Sequence, residues 1–125
     1  MTNKQIGTEF EREVVRLLSR TGYWVHFIVP DARGSQPFDI IASKDDAPIV
    51  GDCKTCKSRW FTIERLEENQ KTSLDLWLAK GNKRAYVFIK HEDSIYQVPY
   101  PLIKALAKID LNDDSMEQYL LCGSS

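Results

Sequence analysis

The chain has 125 residues, enough for one domain with a single hydrophobic core and too few for two. At 42% hydrophobic and 28% charged it has an ordinary globular composition, and apolar runs such as Tyr23–Val29 are too short to span a bilayer, so a membrane partner is not expected. The net charge of −1 permits nucleic-acid binding without arguing for it: residues 1–90 hold 15 Lys and Arg against 12 Asp and Glu, whereas residues 91–125 hold 2 against 6.

In chain order, residues 8–20 carry Phe10, Val14, Leu17 and Leu18 at helical spacing, with Thr8 as a cap and Thr21-Gly22 as a stop. Tyr23–Val29 is rich in aromatic and β-branched residues and reads as a strand. Pro30–Gln36 is a polar loop, Phe38–Ser43 a second strand, Lys44–Pro48 a turn and Ile49–Lys54 a third strand. A helix is predicted over about Thr62–Lys80, closed by Gly81-Asn82. Ala85–Lys90 reads as a buried strand, Ile95–Val98 as a short edge strand, Pro101–Ile109 as a short helix, and the rest as a polar, acidic tail. The order α-β-β-β-α-β is that of an α/β sandwich, a mixed sheet flanked by helices. The expectation is one domain over 1–125, with its core at about 5–90 and a C-terminal extension over 91–125.

Chemistry concentrates in Asp52-Cys53-Lys54. Alternation along a strand puts Asp52 and Lys54 on one face and Cys53 on the other. Taken alone this could be a charge pair at a strand end. Asp39, early in the preceding strand, changes the reading, because a hairpin brings its carboxylate near Asp52. Two crowded carboxylates repel unless a cation compensates them. Mg²⁺ suits such a site, since it takes one or two carboxylates and fills its shell with water and phosphate; Mn²⁺ is expected to substitute. Such an ion polarises a phosphodiester and lowers the pKa of bound water, and Lys54 would orient or deprotonate that water.

The stretch Phe38-Asp39, twelve residues, then Asp52-Cys53-Lys54 resembles the signature of PD-(D/E)xK nucleases. Gly7-x-x-x-Glu11-Arg12, followed by an apolar helix and Gly22-Tyr23-x-Val25, is similar to the opening helix of Holliday-junction resolvases from archaea, phages and Gram-positive bacteria. That resemblance covers roughly residues 5–90 and implies a restriction-endonuclease-like αβββαβ core. It makes Glu11 an outer acidic member of the metal site and Arg33-Gly34-Ser35 the polar loop before the first catalytic aspartate. The chain departs from the pattern with Asp52 in place of the usual Glu and Phe38 in place of Pro. The projecting segment of the bacterial enzymes has no counterpart.

Gln70 shares a stripe with Leu66, Leu74 and Trp77, and Gln70-x-x-x-Leu74 matches a motif of related nucleases. Cys53 is read as a small buried residue whose backbone carbonyl can face the metal. Cys53-x-x-Cys56 lacks the further ligands of a zinc site. His26 and His91 lack the neighbours of a general base and read as structural. Lys57, Arg59, Trp60 and Phe61, directly after the catalytic strand, suit a DNA backbone and an exposed base; Arg12, Arg33 and Ser35 are further candidates for DNA contact. The expected activity is an Mg²⁺-dependent endodeoxyribonuclease on branched DNA, a homodimer resolving Holliday junctions in the cytoplasm of a bacterium or archaeon, or phage-encoded. The alternatives are a nuclease of the same fold for duplex, flap or repair substrates, and a non-catalytic DNA-binding or interaction module.

Overall fold

The structure, a computed structural model, describes residues 3–29 and 36–123, and of residues 3–7 only the backbone. Helix α1 (Asn3–Arg20) begins five residues before Thr8, so Thr8 lies inside the helix and does not cap it. Phe10, Val14 and Leu18 recur every four residues and are all buried. At its end Thr21 and Tyr23 donate N–H to the Leu18 carbonyl, both at 3.1 Å, and Gly22 takes the left-handed φ of 96° that this closure needs.

Strands β1 (Trp24–Phe27), β2 (Ile40–Lys44) and β3 (Ala47–Thr55) follow as an antiparallel meander. Asp45 and Asp46, at φ 53° and 59°, form the β2–β3 turn, which is tighter than the five-residue turn expected. The predicted helix at Thr62 starts later. Strand β4 (Trp60–Thr62) ends at its predicted first residue, Ile63–Arg65 is a 3₁₀ turn, and helix α2 covers Glu68–Ala79. Strand β5 (Ala85–His91) pairs in parallel with β3, from Val50↔Ala85 to Thr55↔Lys90. Strand β6 (Ser94–Pro99) returns antiparallel.

Helix α3 (Tyr100–Leu106) stops at Ala107, whose φ of 65° turns the chain into strand β7 (Lys108–Asp110). The predicted helix to Ile109 is therefore three residues too long. The acidic tail is ordered into a 3₁₀ helix (Asp114–Tyr119) and strand β8 (Leu120–Cys122). The main sheet runs β1-β2-β3-β5-β6-β8, while β4 and β7 make a separate two-stranded ribbon. Because β8 pairs outside β6, the strand expected at an edge is interior.

Alternation along β3 divides two cores. Ile49 packs with Phe10, Val14, Leu18, Ile40, Ala42, Phe88 and Ile95 beneath α1. On the opposite face Val50 joins Leu74 of α2, Val87, Ile89, Tyr100 and Ile103. Each of these larger apolar side chains contributes roughly 1.5–3 kcal/mol by leaving water. Gly51 sits where a methyl group would lie 2.5 Å from the Phe88 ring, so only glycine lets β3 approach β5 there. Among the described residues no helix is long and apolar enough to cross a membrane.

Candidate active site

Asp39 stands one residue before β2, not within it as expected, yet it continues the ladder. Its N–H donates to the Gly51 carbonyl at 3.1 Å, and its own carbonyl accepts from Ile28 at 2.8 Å. Its carboxylate Oδ2 accepts the N–H of Cys53 at 2.7 Å. Tied to residues on both sides of Asp52, Asp39 is held alongside it, which is the convergence the hairpin predicts. Gln36 Nε2 donates to Asp39 Oδ1 at 3.3 Å, and Asn69 Nδ2 donates to the Gln36 carbonyl at 3.4 Å.

Asp52 is fully buried, at 0% exposure, and Asp39 is 6% exposed. Gln70 Nε2 faces Asp52 Oδ1 at 3.5 Å, while Gln70 Oε1 accepts the N–H of Glu67 at 3.0 Å. Gln70 thus has the polar partners its buried place on α2 requires. Oδ2 of Asp52 is buried and has no hydrogen-bond partner among the described residues. An orphaned carboxylate oxygen of this kind costs several kcal/mol unless a cation meets it.

The carboxyls carry the signature of missing positive charge. Burial first, then the charge of Asp39, raises Asp52 to about 7, against the opposing pull of Lys54. Burial also raises Asp39, although the Cys53 N–H, the Gln36 amide and Lys54 oppose the shift. Glu11 is raised to about 7, chiefly by burial and then by Asp39, with Lys54 again opposing. The ion pair of Glu13 with Lys90, at 2.8 Å, holds α1 over the ends of β3 and β5 and so places Glu11 in this field. Lys54 is half-buried on the same strand face as Asp52 and makes no ion pair within 4.0 Å among the described residues.

Sequence reasoning missed Glu67. It precedes α2 in a reciprocal capping box with Gln70, and its charge adds to the upward shifts of both Asp39 and Asp52. Glu67-x-x-Gln70 just before a helix was the available signal. Gln36 was missed too, since only the tertiary fold brings its amide to Asp39.

A hard divalent cation fits this donor set: carboxylate oxygens, one of them orphaned, with no ion pair to them among the described residues. Among the described residues no group of three or more His, Cys, Asp or Glu side chains is close enough to hold a metal alone. Two carboxylates, with Glu11 further out, is the count that leaves room for water and phosphate. A zinc or redox role for Cys53-x-x-Cys56 has no support. Burial and the surrounding carboxylates push the Cys53 thiol up, and Cys56 donates its S–H to the carbonyls of Ser58 and Trp60.

The candidate DNA contacts divide. Arg12 is exposed on α1 beside an apolar hollow lined by Val15, Phe27 and Val29, and Lys57 is exposed beyond β3. Arg59 is exposed but bound through two nitrogens to Asp110, at 2.8 and 2.6 Å. Arg33 and Ser35 lie outside the described residues. His91 is structural, with Nδ1 2.9 Å from the Cys56 carbonyl, whereas His26 lies exposed against Trp24.

A family model described as "Archaeal holliday junction resolvase (hjc)" matches residues 2–117. Among solved structures the chain is similar to the Holliday junction resolvase Hjc of the archaeal hyperthermophile Archaeoglobus fulgidus. The TM-score is 0.65 and the identity 21%, over 90% of each chain, which speaks for the fold. No curated protein matches the chain. The family match spans α1, the site-bearing hairpin and α2, and on it the chain belongs to the archaeal Holliday junction resolvase family, within the PD-(D/E)xK nucleases.

Proposed function

We propose that Asp39, Asp52 and Lys54 form the cleavage centre of this endonuclease, with Glu11 and Gln70 supporting them. Family membership gives the reaction class, metal-dependent hydrolysis of phosphodiester bonds in branched DNA. The observation that carries the site assignment is the orphaned, buried Oδ2 of Asp52 beside the second carboxylate of Asp39.

Asp39 and Asp52 would hold the metal, which we take to be Mg²⁺, with Mn²⁺ as a substitute. The Cys53 carbonyl and, from further out, Glu11 would complete its surroundings. When bound, the ion supplies Lewis-acid polarisation of the phosphate and a more acidic water. The protein's own groups do the positioning. Gln70 holds Asp52 Oδ1, and the Cys53 N–H holds Asp39 Oδ2, so neither carboxylate must reorient when a cation arrives. Lys54 Nζ, on the same strand face, would orient the attacking water as a hydrogen-bond donor. Arg12, Arg33, Ser35, Lys57 and Arg59 are the proposed backbone contacts.

One nuclease domain over the whole chain, working in the cytoplasm as a homodimer, completes the reading, because resolving a four-way junction takes two symmetric cuts. The test uses purified Asp39→Ala and Lys54→Ala with a synthetic junction and Mg²⁺. Cleavage should fall on the order of a thousand-fold or more, with melting temperatures that show a folded protein. Wild-type rates in either variant would refute the assignment.

A further inference from the structure

The β4–β7 ribbon carries a surface that the cleavage centre does not use. Its register pairs Trp60↔Asp110, Phe61↔Ile109 and Thr62↔Lys108. Phe61 and Ile109 are buried, so the ribbon is already anchored, and Trp60 and Lys108 project from the opposite face. Trp60 is 42% exposed, a large indole that the core does not need. Lys108 Nζ stands 4.7 Å from the indole centroid and the Arg59 guanidinium 5.3 Å. The face also holds a carboxylate, Asp110, but both oxygens are taken by Arg59 and one also accepts the Asn112 N–H. The exposed Lys57 adds a further cation at the turn leading into β4.

This surface is fixed rigidly to the end of the catalytic strand. Cys56 donates its N–H to the Lys90 carbonyl at 2.8 Å and its S–H to the carbonyls of Ser58 and Trp60. Arg65 Nη2 donates to the Thr55 carbonyl at 2.7 Å, and Leu111 donates to the Arg59 carbonyl at 2.7 Å. Five residues lie between Lys54 and Trp60, so their Cα atoms are at most about 20 Å apart. That span is no more than about six nucleotide steps of one strand.

We propose that Trp60 is a stacking platform for a base left unpaired or frayed at the branch point, with Lys57 and Lys108 taking the flanking phosphates and Arg59, held by Asp110, edging the indole. This inference rests on the branched-DNA reading above. An aromatic face flanked by flexible cations is what single-stranded nucleic acid needs, since every base has a π-face and every link a phosphate. A second copy of the chain is a poor occupant, because a two-fold contact there would set Lys57 and Lys108 against their own copies. When a base stacks, Lys108, now over the ring, swings to the adjacent phosphate.

The test is binding by the metal-free protein in EDTA, comparing a four-way junction with linear duplex of the same sequence. Trp60→Ala should weaken junction binding about ten- to a hundred-fold and leave duplex binding within error, and Trp60→Phe should recover most of the loss. A 2-aminopurine base at the branch should be quenched by the wild-type chain, and the same base in mid-arm should not. Wild-type junction affinity in Trp60→Ala, equal losses on junction and duplex, or no quench at the branch would each overturn the platform. Quenching by a protein that does not cut with Mg²⁺ would support the platform while sinking the cleavage centre.

Discussion

Two aspartates, Asp52 in β3 and Asp110 in β7, sit in opposite electrostatic worlds. Asp110 has what a carboxylate wants: a two-nitrogen guanidinium partner and a backbone N–H, which together hold it below the usual range. Asp52 is fully buried, has a long contact to the Gln70 amide, and is pushed up to about 7 by burial and the charge of Asp39, with Lys54 and the Asp39 backbone N–H opposing. The first arrangement is finished as it stands. The second is a deficit, and on the proposal above it is where a cation from outside the chain would bind. Ion pairs as such therefore point away from the chemistry here; the unpaired carboxylate points toward it.

The contrast can be broken most sharply with Asp52→Asn. Removing the buried charge while keeping the shape should lower cleavage on the order of a thousand-fold or more. It should also raise the stability of the metal-free protein at about pH 8 by on the order of 1–3 kcal/mol, read from denaturant unfolding. Loss of both activity and stability would mean that Asp52 is compensated within the chain after all.

A second, intermediate effect follows from proton linkage. Glu11 and Asp52 titrate near 7 in the folded chain and near 4.5 and 3.8 when unperturbed, so the folded state binds more protons across that interval. Metal-free stability should fall as pH rises from about 4 to about 7. A divalent cation replaces those protons, so the rise in melting temperature on adding Mg²⁺ should be largest at about pH 8 and vanish near pH 5. A metal shift that grows toward acid pH would contradict the site.

The smallest effect belongs to the finished pair. Arg59→Ala should lower the melting temperature only slightly, and added salt should erase the difference, because the pair is exposed. The lowered Asp110 adds its contribution above the ordinary aspartate range and loses it as pH falls through the depressed value. A large, salt-independent loss would show that the ribbon depends on the ion pair and not on Phe61 and Ile109.

What could be read from residues alone was whatever is local or periodic. Phe10, Val14 and Leu18 announce α1, and the Asp39–Lys54 hairpin is legible because its strands are joined by a tight turn. Strand β4 was not foreseen, because its partner, β7, lies more than forty residues onward in the chain. Strand β8 was hidden for a similar reason: three residues in an acidic tail have no period, and pairing with β6 defines them. The fold ties Asp39 to the residues on both sides of Asp52, and Lys54 follows on the same strand face. Glu67 and Gln36 enter only when α2 and the segment before β2 are folded against β3.

Gly51 has a consequence for how faithfully the ligands meet. If β3 slipped one rung along β5, Asp52 and Lys54 would turn to the α1 side of the sheet. If it slipped two, the faces would be kept but Ile49 or Cys53 would bring a Cβ into the space that Phe88 fills. The glycine and the phenylalanine ring thus act as notch and key, favouring the alignment in which Asp39 stands beside Asp52. A residue with no side chain thereby sets the register of the proposed metal site.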